Sequence, residues 1–354
     1  MRECFRLAAK GRGRVSPNPM VGAVLVKNGR IVSRGYHRRF GGPHAEVDCL
    51  RRYHGEVRGA TLYVNLEPCS HHGKTPPCAE LIIRSGIRRV VTAMKDPNRL
   101  VSGRGFRKLR RAGVTVITGV LEDEARGLNR HFVTQVTRRR PFVHVKIAQT
   151  LDGSITPASG APRWITSPAS RRLVHRWRAE HDAVLVGAGT VLADNPRLNV
   201  RLSKGRSPQI VVLDGRLRIS ADARLFRTTA APYIVTARRV TRRSAAKMRE
   251  LESRGAIIIP LSARRGRLPL TLILDELYRR GIGSILVEGG AKVFGQFLEE
   301  GLADQTSIFV APHFAGGGLR VLDGSGRSKT LALPRGELSV KKVGRDILIQ
   351  AFRD

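Results

Sequence analysis

The chain has 354 residues, a hydrophobic share of 41% and a formal net charge of +36. That length predicts two domains, each with its own core, and no apolar run reaches the roughly 18 to 20 residues of a membrane span. The charge calls for a polyanion partner only if it is gathered in one place. It is spread, with 29 basic against 10 acidic residues in 1–141 and 35 against 18 in the rest, which excludes a polybasic tail.

Met1 to Lys10 lacks the apolar core and cleavage site of a signal peptide and reads as a short amphipathic helix. Val21 to Val26 reads as a strand, turned at Asn28-Gly29 onto Ile31 to Gly35. Pro43-His44-Ala45-Glu46 then opens a helix running toward Tyr53. After a strand at Thr61-Leu62-Tyr63-Val64 comes Glu67-Pro68-Cys69-Ser70-His71-His72-Gly73-Lys74-Thr75-Pro76-Pro77-Cys78. Thr75 is the expected N-cap of the helix that follows, with proline in its first turn. Cys78 would then sit at the positive end of that helix, which favours a thiolate.

One imidazole, two thiols and a nearby carboxylate are what a catalytic zinc site requires: three protein ligands (His44, Cys69, Cys78), an open fourth position, and Glu46 to move protons. Residues two apart on a regular helix point about 200° apart. His44 and Glu46 therefore share a target only if they lie in an irregular first turn. The bland alternative is a structural zinc knuckle or a chance cluster, but a structural site prefers four protein ligands and has no use for Glu46. Zinc nucleobase deaminases carry H-x-E followed by P-C-x-x-C. Here the second thiol comes nine residues after the first rather than three. Cys4 and Cys49 read as buried small side chains rather than disulfide partners, so the expected compartment is reducing and cytoplasmic.

Taken with Asn18-Pro19-Met20-Val21-Gly22-Ala23-Val24, these motifs resemble the bifunctional riboflavin-biosynthesis deaminase–reductase branch of the cytidine-deaminase superfamily, whose cysteine spacing is equally wide. The resemblance covers nearly the whole chain. It implies a deaminase half that removes the 2-amino group of a diaminopyrimidinone bearing a ribosylamino 5-phosphate. A second half would then use NADPH to reduce the ribosyl group to ribityl. It also implies that Asn18 contacts the pyrimidine and that His71, Lys74, Asp96 and Asn98 surround the ribose and phosphate. Lys74 suits a phosphate as a point charge. By themselves these residues could equally be a turn residue (Asn18), a solvated lysine and a capped turn at Asp96-Pro97-Asn98.

Downstream of Cys78, a helix ended by Gly86, a strand at Arg89 to Ala93, a helix near Gly105–Ala112, a strand at Val114 to Ile117 and a helix from Leu121 to about Arg130 complete an α/β/α unit. Arg138-Arg139-Arg140-Pro141 reads as a solvated linker. The expected domains are thus 1–140, cytidine-deaminase-like, and 141–354, which the resemblance makes a dihydrofolate-reductase-like α/β domain. The second half opens with the strand Phe142 to Ala148, in which Lys146 needs a reason, since an unpaired buried charge is costly. It either faces solvent or meets a substrate group. Gly187-Ala188-Gly189 after the strand Ala183 to Val186 imitates a dinucleotide fingerprint, but Leu192 replaces the third glycine. Ile210 to Leu213, Tyr233 to Val235 and Ile257 to Ile259 read as further strands. Ser284 to Val287, Gly289-Gly290 and the helix after them suit a phosphate-bearing cofactor. The tail alternates as antiparallel strands.

For NADPH the resemblance implies Gln149, Trp164, Thr190, Asp194, Gly289, Gly290, Ala291 and Lys292. For the reductase substrate it implies Lys146, Arg178, Leu198, Arg201 and Glu288. The expected partners are a small phosphoribosylated pyrimidine and further copies of the chain (a dimer or tetramer), with no specific nucleic acid and no membrane. Two rivals use the same motifs: a tRNA or DNA base deaminase with an added C-terminal domain, and a nucleic-acid-binding protein on a relict fold. The first expects the short cysteine spacing, and the second a missing ligand or a missing Glu46.

Overall fold

The chain forms two compact units, Met1–Arg139 and Arg140–Asp354. The computed structural model describes residues 1–71, 76–99, 101–156, 164–228, 230–264, 266–323 and 333–353.

The first unit begins with helix α1 (Arg2–Ala8) and the antiparallel hairpin β1 (Gly22–Lys27) and β2 (Arg30–Tyr36). Its turn sets Asn28 and Gly29 at φ of 50° and 73°, the left-handed values that a two-residue hairpin turn demands. Then come α2 (Ala45–Arg51), β3 (Thr61–Leu66), α3 (Cys78–Arg84), β4 (Arg89–Met94), α4 (Arg104–Arg111), β5 (Thr115–Ile117), α5 (Glu122–Leu128) and α6 (Arg130–Arg138). Among the described residues one five-stranded sheet forms, in the order β2-β1-β3-β4-β5, parallel from β3 onward. Ala45, Cys49, Ala79, Ile82 and Leu109 from α2, α3 and α4 cover one face. Cys4, Leu7, Ala125 and Phe132 from α1, α5 and α6 pack on the other. Two layers of helix thus enclose one sheet. A Cβ on Gly35 would fall 2.2 Å from the backbone nitrogen of Cys49, so α2 rests directly on β2 at this point.

Two local expectations need correction. The single helix expected from Leu121 to about Arg130 is two helices broken at Asn129, which has φ −103° and ψ 25°. Its amide is used elsewhere, accepting from Met20 N–H (2.8 Å) and donating to Met20 C=O (3.0 Å). An asparagine that bonds a distant backbone gains little from continuing a helix. The helix at Cys78 begins at Cys78 itself, with Pro77 at the N-cap, so the prolines precede the first turn. The expected cap Thr75 lies outside the described residues.

The second unit contains β6 (Phe142–Thr150), α7 (Pro168–Glu180), β7 (Ala183–Gly187), α8 (Ala188–Asp194), β8 (Gln209–Leu213), β9 (Tyr233–Ala237), α9 (Arg238–Arg243), α10 (Ala245–Ser253), β10 (Ile257–Leu261), α11 (Leu270–Arg279), β11 (Ser284–Gly289), α12 (Ala291–Glu299), β12 (Gln305–Ala311), β13 (Leu338–Val343) and β14 (Asp346–Phe352). Among the described residues these strands make one nine-stranded sheet, β10-β9-β8-β7-β11-β6-β12-β14-β13. Pairing is parallel from β10 to β12 and antiparallel at β14 and β13, so the sheet is mixed, as the alternating tail implies. Central strands read as continuous apolar runs because helices cover both faces. Val184 and Val186 pack with α8 and α10, Leu185 with α11 and α12. Parallel alignment brings the carboxyl ends of β6, β7 and β11 to one edge, where open α/β sheets bind ligands.

Arg140 is not the solvated charge expected of a linker. Its guanidinium forms a two-pronged pair with Asp304 (2.6 and 2.8 Å), with side chains only 15% and 3% exposed, and Asp304 also accepts from Val143 N–H at 2.9 Å. Removing one partner of such a pair leaves a buried charge and costs about 3–5 kcal/mol. Asp304→Ala should therefore lower the melting temperature of this unit by roughly 6 °C or more, read by differential scanning calorimetry. An unchanged transition would show that the pair contributes nothing.

Candidate active sites

In the first unit, His44 is the N-cap residue of α2 with extended backbone (φ −67°, ψ 162°). Because it stands just outside helical geometry, its imidazole and the Glu46 side chain are not forced 200° apart. Cys78 is the first residue of α3, and its N–H donates to Cys69 Sγ at 3.3 Å. His44 Nδ1 lies 3.3 Å from Cys78 Sγ and 3.6 Å from Cys69 Sγ, and the three donor atoms all fall within 4.8 Å of one another. Tetrahedral zinc with its usual bond lengths would set nitrogen and sulfur about 3.6 Å apart. The donor set therefore fits zinc without rearrangement.

The electrostatics point the same way. A hydrogen bond from Cys78, helped by His44, pulls the Cys69 thiol down to about 4, while the same partner and burial push Cys78 well up. Two thiols share one proton where a dication would satisfy both. His44 is raised chiefly by its bond to Cys69. Glu46, 4% exposed, is raised by burial.

A cavity of about 330 Å³ opens onto this cluster. Asn18, His71, Asp96 and Asn98 line it together with His44, Glu46 and Cys69. Of the residues expected around the sugar phosphate, only Lys74 is missing from this group, because it lies outside the described residues. Burial, with Glu67 and Cys69 nearby, pushes Asp96 up to about 7 against the pull of Asn98 N–H, which donates to Asp96 Oδ1 at 2.8 Å.

Three supporting residues were not singled out from the sequence. Buried Glu67 spreads its two oxygens over the backbone N–H groups of Asp96 (3.2 Å), Gly103 (2.8 Å), Gly105 (2.9 Å) and Phe106 (3.3 Å). It thereby ties the Asp96–Asn98 loop and the start of α4 to the residue two before Cys69. A Cβ on Gly105 would stand 2.1 Å from Pro68 C=O, so glycine is required there. His37 lines the cavity, with Nδ1 2.9 Å from Pro43 C=O and Nε2 3.1 Å from Asn18 Nδ2. A carbonyl only accepts, so Nδ1 carries the proton and Nε2 receives the Asn18 amide. Asn65 holds the chain beyond Asn18, accepting from Gly22 N–H at 2.8 Å and donating to Met20 C=O at 3.0 Å. The only sequence signal for Glu67 was its place before Pro68-Cys69.

In the second unit, Lys146 neither faces solvent nor waits unpaired: its Nζ is 3.8 Å from Glu288 Oε2. Arg178 grips the same carboxylate with Nε at 2.5 Å and Nη2 at 2.9 Å, and its Nη1 donates to Asn199 C=O at 3.0 Å. Burial alone would raise Glu288, but Arg178 and Lys146 overcome it and hold the carboxyl at about 2. Burial lowers Lys146 despite Glu288, with Asp194 at the end of α8 adding a smaller upward pull. Beside this cluster a Cβ on Gly289 would come 2.6 Å from Thr190 Oγ1, and Gly290 has φ 93°. Thr190 thus packs against the bare backbone of Gly289, where any side chain would clash, and Gly290 makes a left-handed turn into the start of α12.

Arg201 is exposed, its Nη1 3.2 Å from Asn199 Oδ1. Leu198 is different. Its side chain is buried in the core with Val184 and Val186, and its backbone takes φ 55°. Contact with a ligand could come only through its main chain. Gln149 stands near the carboxyl end of β6, Ala291 is buried at the start of α12, and Lys292 is exposed. Trp164 is 48% exposed, with the Arg171 guanidinium 4.9 Å from its ring centroid.

Comparison with known proteins decides the family. Residues 141–349 match the family described as RibD C-terminal domain, and residues 1–94 match the cytidine and deoxycytidylate deaminase zinc-binding region. The chain belongs to the RibD family. It is 43% identical to the riboflavin biosynthesis protein RibD of Aquifex aeolicus over 99% of this chain and 96% of that one. With RibD of Escherichia coli it is 38% identical, over 91% and 89%. Among solved structures it resembles the diaminohydroxyphosphoribosylaminopyrimidine deaminase/5-amino-6-(5-phosphoribosylamino)uracil reductase of Thermotoga maritima at TM-score 0.86 and 42% identity, covering 100% and 97%. It also resembles RibD of Acinetobacter baumannii, at TM-score 0.87 and 35% identity over 100% and 97%. The RibD assignment gives the chain a zinc-binding deaminase domain and an NADPH-dependent reductase domain.

An amide at position 67 would turn an NH₂ donor toward backbone donors, leaving N–H groups unsatisfied at about 1–3 kcal/mol each. Glu67→Gln should therefore speed hydrogen exchange at Asp96, Gly103, Gly105 and Phe106 by roughly ten-fold or more, with exchange in the second unit unchanged. Parent-like exchange at those four amides would refute the anchoring role.

Proposed function

We propose that this chain performs two consecutive steps of riboflavin biosynthesis: hydrolytic removal of the 2-amino group of a phosphoribosylated diaminopyrimidinone, then NADPH-dependent reduction of its ribosyl group to ribityl. One observation carries the reading. A single chain holds both the His44, Cys69, Cys78 and Glu46 cluster at a cavity and the Lys146, Glu288 and Arg178 cluster beside the Gly289-Gly290 turn. A base deaminase acting on nucleic acid leaves the second cluster without a use.

In the deaminase half, zinc held by His44, Cys69 and Cys78 would supply a water acidified to a pKa of about 7. Glu46 does the proton work. Raised by burial, its carboxyl can receive a proton from the attacking water and pass it to the departing amino group. By family resemblance Asn18 would meet the pyrimidine edge and His71, Lys74, Asp96 and Asn98 the ribose and phosphate; the cavity lined by Asn18, His71, Asp96 and Asn98 and the Asn18–His37 contact support this. In the reductase half, NADPH would supply the hydride, with Thr190 and Gly289-Gly290 offering it a backbone surface and Gln149, Trp164, Asp194, Ala291 and Lys292 assigned to it by family resemblance. Lys146, made more acidic by burial, is the candidate proton donor and Arg201 the candidate partner for the substrate's negative charge, while Arg178, which family resemblance also assigns to the substrate, holds the Glu288 carboxylate in place. We further infer action as a homo-oligomer in the cytoplasm, a compartment that suits thiols kept for zinc (Cys69, Cys78) and unpaired in the core (Cys4, Cys49), with no specific nucleic-acid partner and no membrane. No helix of the described residues is long and apolar enough to cross a membrane.

Glu46→Gln tests this directly in the full chain. The variant should keep about one zinc per chain and lose deamination by roughly 10²–10⁴-fold. It should still oxidise NADPH when given the already deaminated substrate. Deamination at the parent rate would remove Glu46 from the chemistry, and a parallel loss of NADPH oxidation in folded protein would contradict the separation of the two sites.

A further inference from the structure

Helix α7 presents His175 and Arg178 three residues apart, hence on one side of the helix. Both are buried, and both grip the same stretch of irregular chain. Arg178 donates to Asn199 C=O at 3.0 Å, and Arg201 N–H donates to His175 Nδ1 at 3.1 Å. A backbone N–H can only donate, so Nδ1 is the bare nitrogen and the ring is neutral with its proton on Nε2. The surroundings enforce this: burial first, then the cations Arg178, Arg201 and Arg171, hold His175 at about 4 against the opposing pull of Glu288. Upstream, Leu198 is pinned in the core. Residues 198–201 are thus fixed at a buried side chain, a carbonyl and an amide. Asn199 and Val200 are half-buried and the Arg201 side chain is exposed, within the electrostatic reach of Arg178, Arg197 and Arg224.

We propose that His175 is a positioning residue of the reductase site, fixing the main chain from which Arg201 reaches an anionic group of the substrate. This rests on the assignment of Arg201 to that site. Neutrality matters twice here. A protonated ring would lose the bond to Arg201 N–H and would add a further positive charge beneath an already crowded set of arginines.

The test uses the full chain with the deaminated, phosphorylated substrate and NADPH, comparing His175→Leu, His175→Asn, Arg201→Ala and the double variant His175→Leu/Arg201→Ala. Loss of an acceptor acting only on substrate binding should raise KM for the phosphorylated substrate about ten-fold, with kcat and the KM for NADPH changed less than about two-fold. Asparagine sets its Oδ1 where the imidazole Nδ1 stands, so His175→Asn should stay within about three-fold of the parent KM. If His175 acts through Arg201, His175→Leu should add less than about two-fold once Arg201 is alanine. A raised KM in Arg201→Ala but not in His175→Leu overturns the positioning role and leaves the site assignment standing. An unchanged KM in Arg201→Ala overturns that assignment, and the inference with it. An equal rise in the KM for NADPH, or no rescue by asparagine, makes His175 merely structural. Should His175→Leu fail to fold, His175→Phe, an aromatic ring without an acceptor, takes its place: a KM raised about ten-fold supports the proposal and a parent-like KM overturns it.

Discussion

Two cysteine sulfurs and an imidazole nitrogen meet within 4.8 Å of one another, close to the buried carboxylate of Glu46. One thiol is driven toward the thiolate while its neighbour is driven away from it, and Glu46 is pressed toward its neutral form by burial. A divalent cation held here would favour both thiolates and the bare imidazole nitrogen at once. Much of the first unit can be read as what brings those atoms together. His44 stands at an N-cap so that it need not follow the helix, Cys78 opens the next helix, and Glu67 fastens the loop that completes the cavity.

The second unit solves a different problem, that of keeping charges buried without losing them. Glu288 sits within a parallel sheet covered by helices, and it remains an anion only because Arg178 takes both of its oxygens and Lys146 stands near. In return Lys146 is destabilised as a cation. A lysine in that condition gives up its proton more readily than one in water. The cluster lies toward the carboxyl ends of the central parallel strands, beside the glycine turn that leads into α12, where open α/β sheets bind ligands.

What was legible in the sequence follows from what acts locally. His44, Cys69 and Cys78 could be read because metal chemistry restricts ligand types, and the strands because hydrophobic runs and Asn28-Gly29 punctuate them. The open question over Lys146 was real, since the carboxylate that answers it lies 142 positions away at Glu288. Distance in sequence also hid the pair Arg140–Asp304, 164 positions apart, and the use of Asn129 by Met20, 109 apart. Glu67 and His175 escaped for another reason: each serves backbone N–H groups, and backbone partners leave no trace in residue identity. Leu198 shows the opposite limit. Family resemblance assigns it to a substrate site, while its side chain belongs to the core.

The account depends most on a metal centre that keeps a place for water. Zinc K-edge X-ray absorption on the purified full chain measures that directly. It should show two sulfur neighbours at about 2.3 Å, one nitrogen at about 2.0–2.1 Å and a fourth light atom not supplied by the protein. A shell of four protein ligands would make the site structural, and a shell of oxygens alone would mean that His44, Cys69 and Cys78 are not the ligands.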